Sequence, residues 1–219
     1  MAEGLVLEDL RIALGGRVMV ALDAAVAPGS VLTVMGPSGS GKSTLLAAIT
    51  GTLAPQFTLM GRILLDGRDI TALPPEQRRT GILFQDELLF PHLSVGGNLA
   101  FGLPPSVRGR AARRARIAEA LDEIGLAGFA PRDPATLSGG QKARVALMRT
   151  LLAAPRALLL DEPFSRLDAE LRGQIRALVF ERARTQGLPV LLVTHDRADA
   201  EAAGGRVIRL GEPPDAPAP

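Results

Sequence analysis

Gly36-Pro37-Ser38-Gly39-Ser40-Gly41-Lys42-Ser43-Thr44 follows the apolar run Val31-Leu32-Thr33-Val34-Met35 and precedes Leu45-Leu46-Ala47-Ala48-Ile49. A strand, a glycine loop and a helix succeed one another, with the spacing G-x-x-x-x-G-K-S of a phosphate-binding loop. Glycines let successive backbone N–H groups turn inward around a phosphate, and the new helix presents its positive end to the anion. On this reading Lys42 reaches the β- and γ-phosphates, and the Ser43 hydroxyl holds Mg²⁺. The bland alternative is a glycine-rich turn, and the strand and helix on either side of the loop argue against it.

Of the 25 basic residues only Lys42 and Lys142 are lysine, and the rest are arginine. A compact ammonium, rather than a planar fork, suits a phosphate cradle. Lys142 has no comparable need. At 219 residues the chain is long enough for a sizeable core, as one large domain or a domain with a subdomain. Its 25 cations face 23 carboxylates, a net charge of +2, so charge gives nucleic-acid binding no support. The absence of cysteine rules out a disulfide framework and fits a reducing compartment. Met1-Ala2-Glu3-Gly4 opens no long apolar run, so no signal peptide is expected, and no stretch approaches the length of a membrane span.

Leu5–Ile12 and Val18–Val26 read as strands around a Gly15-Gly16 turn. Gly61 opens a further strand at Arg62–Leu65, Asp66-Gly67 makes a hairpin turn, and Pro74-Pro75-Glu76 begins a short helix. Thr80–Phe84 is an apolar strand ending on Gln85, a position that lines the ligand crevice in an open α/β sheet. From Asp86 to about Thr136 the strand pattern gives way to helices, one capped by Ser94 and one over Gly109–Ile124. Arg110, Arg113, Arg114 and Arg116 crowd the second, either as a solvated face or as a contact for an anionic partner or lipid surface. Leu137-Ser138-Gly139-Gly140-Gln141 opens a helix running through Ala153, and its start is either an ordinary cap or an anion site.

Ala157–Glu162 is a buried strand ending on two acids. Beside a phosphate loop, Asp161 can hold Mg²⁺ and Glu162 can take a proton from an attacking water. The plainer reading is a helix-capping acid pair. A long helix runs from Leu167-Asp168 to about Gln186, and Pro189–Thr194 is a strand ending on His195 at the crevice edge. Glu212–Pro219 is a Pro/Ala-rich tail, expected to be disordered.

Together these residues resemble the nucleotide-binding subunit of ATP-binding cassette (ABC) transporters over nearly the whole chain. Gly36–Thr44 matches the Walker A segment, Leu158–Glu162 the Walker B strand and Gln85 the Q-loop. Leu137–Gln141 matches the LSGGQ signature, Ser165–Asp168 the D-loop and His195 the switch histidine. The resemblance implies an α/β fold: a P-loop NTPase cassette with a RecA-like core, an N-terminal antiparallel β subdomain and an inserted α-helical subdomain. It sets one ATPase domain over residues 1–211, with the helical part at about 86–153 and the tail at 212–219.

It further implies that two copies pair head to tail around two ATP molecules. Gly36, Pro37, Ser38, Gly39, Ser40, Gly41, Lys42, Ser43 and Thr44 of one copy would face Ser138, Gly139, Gly140 and Gln141 of the other. Glu162 would be the general base, His195 a clamp on the γ-phosphate, and Ser43, Gln85 and Asp161 would surround Mg²⁺. Phe84–Val95, with Asn98 and Phe101-Gly102-Leu103, is similar to the importer branch, in which this region receives a permease. Leu88, Leu89, Phe90 and Pro91 are then either that contact or subdomain packing. Within the importers the chain resembles thiamine-type and Ynj-type ATPases, which are similarly short, and the regulatory domain common in sugar or polyamine importers is not expected.

The implied protein is a peripheral ATPase at the cytoplasmic face of the membrane, energising uptake of a small solute. Its partners would be a permease, a separate solute-binding protein and a second copy, with no nucleic acid. An exporter or lipid-extraction ATPase is the alternative, and a soluble cassette serving translation or DNA repair is a weaker one. Two departures from the family stand out. Members usually stack an aromatic residue on adenine before the second strand, where this chain reads Ile12-Ala13-Leu14-Gly15-Gly16 and has neither Tyr nor Trp. Arg166 also stands where the D-loop usually has a small residue, either as an interface contact or as part of the arginine bias.

Overall fold

The structure is a computed structural model that describes residues 4–86, 88–165, 167 and 169–211. The chain divides into two compact units. One contains the described residues through Ile82, Arg156–Glu162 and those from Phe180 onward, and the other contains Leu83–Pro155 and Pro163–Val179.

The first unit is built on two sheets. Strands β1 (Leu5–Leu14), β2 (Arg17–Val26), β4 (Phe57–Leu65) and β5 (Arg68–Asp69) form an antiparallel sheet in the order β2-β1-β4-β5. The other sheet has the order β6-β7-β8-β3-β9, using β3 (Val31–Met35), β6 (Thr80–Leu83), β7 (Ala157–Asp161), β8 (Val190–Thr194) and β9 (Arg206–Arg209). Strands β7, β8, β3 and β9 run parallel. Ala157–Leu160 and Val190–Val193 are fully buried. That burial on both faces is why their sequences are continuous apolar runs rather than alternating ones.

The antiparallel sheet departs from the sequence expectation in β4. Gly61 does not open the strand. It sits inside it, opposite a bulge at Asp9 (φ 45°), where the register of β1 slips against both neighbours. A Cβ on Gly61 would lie 2.4 Å from the Glu8 carbonyl oxygen and 2.5 Å from that of Asp9, and its φ is +88°. Only glycine fits that crossing. The strand therefore continues back to Phe57, which pairs with Leu14 at the far end of β1.

Helix α1 (Lys42–Thr50) follows β3, and a buried arginine closes its C-terminal end. Arg78, at the end of α2 (Pro75–Arg78), is 5% exposed. Its Nη1 donates to the carbonyls of Ala48 (2.7 Å) and Ile49 (3.1 Å), Nε to Leu73 (2.7 Å) and Nη2 to Thr71 (2.6 Å). The cation meets the negative end of the helix and satisfies carbonyls that the helix leaves unpaired.

The second unit packs α3 (Val95–Gly102), α4 (Arg110–Glu123), α5 (Gly139–Leu152) and the start of α6 (Ala169–Thr185). Val95, Leu99, Leu121, Val145 and Met148 lie in its core. Asn98 is fully buried. Its Nδ2 donates to the carbonyls of Phe90, Leu93 and Ser94, and its Oδ1 accepts from the Phe90 N–H at 2.8 Å, which fixes the shape of the 90–94 loop. From the last turn of α5, Arg149 donates to the Leu88 carbonyl at 2.9 Å and lies 5.0 Å over the Phe90 ring. Helix α7 (Arg197–Ala203) belongs to the first unit.

Arg78→Ala strands several buried carbonyls, and such losses cost about 1–3 kcal/mol each where water cannot enter. Urea unfolding of this variant is expected to show a loss of about 3 kcal/mol. An unchanged midpoint would remove Arg78 from the clamp.

Candidate functional site

The glycine loop joins the end of β3 to α1 with two residues in left-handed backbone, Gly39 (φ 80°) and Gly41 (φ 93°), the latter capping the helix. A Cβ at Gly41 would lie 2.5 Å from Val20 Cγ2, and one at Gly36 would lie 2.5 Å from Ser40 Oγ. The loop is wound as tightly as its own backbone allows. Lys42 is nearly buried, and its Nζ donates to the carbonyls of Gly36 (2.8 Å) and Pro37 (2.9 Å). An ammonium has three donors, so these two bonds fix the direction of the third.

The loop forms one wall of a cleft of about 620 Å³. Ser38, Gly39, Gly41, Lys42, Ser43 and Thr44 line it together with Glu162 and His195. Glu162 continues β7 by donating its N–H to the Val193 carbonyl at 2.9 Å, yet its φ is +46°. A non-glycine residue held there is strained by about 1 kcal/mol, and such strain gathers at functional sites. The turn directs the carboxylate into the cleft, where Oε2 accepts from His195 Nδ1 at 3.0 Å.

His195 follows β8, and its side chain is 63% exposed. The turn that carries it is pinned from below. Thr194 Oγ1 donates to the buried Asp199 carboxylate at 3.2 Å and accepts from the Asp196 N–H at 3.0 Å. Asp161 ends β7 beside this group. Burial raises its carboxyl above the ordinary carboxylate range, the neighbouring Glu162 raises it further, and Lys42 opposes both.

Of the residues expected from sequence, the loop, Glu162 and His195 meet in this cleft. The Ser40 hydroxyl is buried, with no hydrogen-bond partner among the described residues. Asp161 is in the first unit at the end of β7, and the others belong to the second. Gln85 is exposed just beyond β6. Ser138 caps α5 in a reciprocal box, its Oγ accepting from the Gln141 N–H (3.3 Å) while Gln141 Oε1 accepts from the Ser138 N–H (3.1 Å). Gly139 and Gly140 form the first turn of α5, and a Cβ at Gly140 would run into Leu171. Ser165 lies in a turn, while Arg166 and Asp168 of the expected D-loop, Glu87, and the 212–219 tail lie outside the described residues.

Of the apolar residues that line the cleft, Leu14 falls in the stretch where the family places its stacking aromatic, offering an apolar surface without a π-face, whereas Met19 and Phe57 were not found from sequence. The β-prone residues Phe57-Thr58-Leu59 were the available signal for the strand that carries Phe57, and the glycine that follows hid it.

A model of the ABC transporter family matches residues 20–165. The chain belongs to the ABC transporter family. An uncharacterized ABC transporter ATP-binding protein of Escherichia coli K12, YnjD, is 52% identical over 186 residues, covering 85% of each chain. The thiamine import ATP-binding protein ThiQ of Cereibacter sphaeroides is 50% identical over 190 residues, 87% of this chain and 81% of the relative. The Fe(3+) ions import ATP-binding protein FbpC of Streptomyces coelicolor is 47% identical over 205 residues, 92% of this chain and 58% of the relative. As a member of this family the chain binds and hydrolyses ATP, and Gly36–Thr44 is its Walker A segment.

A carboxyl with a raised folded-state pKa holds its proton more tightly when folded than when unfolded. The stability of the ligand-free protein therefore falls as pH rises through the window between the unfolded and the raised value. Asp161→Asn removes that penalty. Scanned with a chelator present, it is expected to melt above the native protein at neutral pH, with the gap closing once pH falls below the carboxylate range. A variant that melts at or below the native temperature at neutral pH would contradict the assignment.

Proposed function

We propose that this chain is the ATP-hydrolysing subunit of an importer, coupling the pairing of two copies and ATP hydrolysis to uptake of a small solute through a separate permease. The observation that carries the chemistry is the Glu162–His195 hydrogen bond of 3.0 Å in the same cleft as Lys42 and the glycine loop. The import direction rests on relatives named for thiamine and Fe(3+) import at about half identity.

The donor set fits a nucleoside triphosphate with a divalent cation. Glycine backbone comes close where a Cβ has no room, an ammonium is oriented by two carbonyls, and the Ser43 and Thr44 hydroxyls line the same wall. Ser43, Asp161 and Gln85 would hold Mg²⁺, which neutralises phosphate charge when bound. Gly36 through Thr44 wrap the β-phosphate with backbone N–H groups, and Lys42 meets the β- and γ-phosphates. Glu162 takes the proton of the water that attacks the γ-phosphorus, as the bond to the bridging oxygen of ADP breaks. His195 holds the Glu162 carboxylate in place and meets the γ-phosphate from β8. This division of labour suits phosphoryl transfer, in which positioning and charge supply most of the acceleration.

Ser138, Gly139, Gly140 and Gln141 act on the ATP of a second copy paired head to tail. The cap that Ser138 makes on α5 leaves its hydroxyl hydrogen free to donate. Leu88, Leu89, Phe90 and Pro91 meet the permease, and a separate solute-binding protein delivers the solute. Residues 1–211 work as one ATPase domain, with the helical part near 86–153. The subunit sits peripherally at the cytoplasmic face of the membrane, and no helix among the described residues is long and apolar enough to cross it.

Glu162→Gln is expected to bind ATP normally and lose about 100-fold or more of its turnover, read by phosphate release. Normal turnover would remove Glu162 from the role of base. For the partners, affinity-tagged protein drawn from detergent-solubilised native membranes is expected to bring a multi-span permease and a solute-binding protein. A permease without a binding protein would favour export, and no membrane protein at all would leave a soluble ATPase.

A further inference from the structure

We infer that Phe57 supplies the aromatic face on which the base of the bound nucleotide rests, with Leu14 and Met19 completing an apolar platform in the wall of the cleft. The inference rests on the nucleotide reading of that cleft. It assigns a specificity element from a strand outside the motifs.

The phosphate loop fixes which way a ligand lies. Its glycines, Lys42, Ser43 and Thr44 supply the anion-binding part of the lining, so the phosphates go there and the remainder of the molecule meets the rest of the cleft. Apart from Glu162 and His195, the other side chains in that lining are Leu14 and Met19, which are 40% and 39% exposed, and the half-buried Phe57. They come from β1, β2 and β4 and stand together because of sheet register. Leu14 and Phe57 are direct partners across the β1–β4 pair, and Leu14 also pairs with Arg17 across the Gly15-Gly16 turn that leads to Met19. The β2 edge abuts the phosphate loop itself, since the Met19 carbonyl lies 3.5 Å from where a Gly41 Cβ would stand. Platform and phosphate cradle therefore belong to one continuous wall.

Phe57 is also the member of this trio whose position is fixed from behind. Its side chain packs against the core cluster of the unit while lining the cleft. A ring held in that way loses little freedom when a planar group settles on it, and Met offers a polarizable contact beside it. Large apolar side chains left open at the mouth of a polar cleft match a ligand that is anionic at one end and flat and apolar at the other. A nucleoside triphosphate has that shape, and inorganic triphosphate has only the anionic half. No side chain of the trio donates a hydrogen bond, and the Met19 thioether is only a weak acceptor, so the platform senses the π-face of a base rather than its edge.

The test uses the full chain and separates the two halves of the ligand. Native protein, Phe57→Leu and Phe57→Ala are titrated by calorimetry with ATP and with inorganic tripolyphosphate, both with Mg²⁺. Loss of stacking is expected to weaken ATP binding by about ten-fold in either variant and to leave tripolyphosphate unchanged. Leucine keeps the packing bulk without the ring, so the experiment survives if the alanine variant folds poorly. In Phe57→Trp the new indole is the sole tryptophan in a chain that has no other Trp and no Tyr. Its emission is expected to change on adding ATP and to stay unchanged with tripolyphosphate. Equal ATP affinity in native protein and Phe57→Leu, or a silent indole while calorimetry records ATP binding, would overturn the platform. Native protein that binds neither ligand would overturn the nucleotide reading beneath it, a result distinct from either.

Discussion

A lysine ammonium bound to the carbonyls at the start of its own loop is the interaction on which the rest of this fold is arranged. Lys42 Nζ reaches back to Gly36 and Pro37 and closes the loop on itself. That ring of contacts holds the loop closed before any anion arrives, so little ordering entropy remains to be lost on binding. The surroundings serve it. β3 delivers the loop from between β8 and β9 in the five-stranded sheet, α1 carries its dipole toward the loop, and Arg78 neutralises the opposite end of that helix.

Opposite the lysine, the acidic wall works against stability. Glu162 occupies a backbone region that favours glycine, and Asp161 is a half-buried carboxyl whose charge is resisted by burial and by its neighbour. Both penalties are local and both sit at the end of β7, a strand whose preceding residues are entirely buried. A rigid apolar strand can hold two unfavourable groups at its tip because its packing overdetermines their position. This is a familiar exchange of stability for function.

That the loop, Glu162 and His195 belong together was legible in the sequence because the signals are local. The glycine loop is one contiguous stretch, and the acids and the histidine follow within two residues of the runs Leu158–Leu160 and Val190–Val193. The Ser138 cap was equally plain, since a hydroxyl three residues before Gln141 is a local pattern. Phe57, Arg78, Asn98 and Asp199 were not legible in the same way. Arg78 binds carbonyls 29 and 30 residues away. Asn98 is one polar residue in an apolar helix until the 90–94 loop folds around it. Phe57 lay hidden because Gly61 reads as a strand boundary, whereas the bulge at Asp9 makes it part of the strand. A bulge depends on the partner strand, and sequence periodicity does not carry that information.

Helix α5 joins two places that the sequence keeps far apart. Ser138 caps its first turn, and Arg149 in its last turn grips the Leu88 carbonyl and covers the Phe90 ring. Fourteen residues of α-helix make a strut about 20 Å long that neither stretches nor bends cheaply. A push on the 88–90 segment therefore arrives at the LSGGQ end as displacement of a solid rod, with Arg149 as the coupling pin.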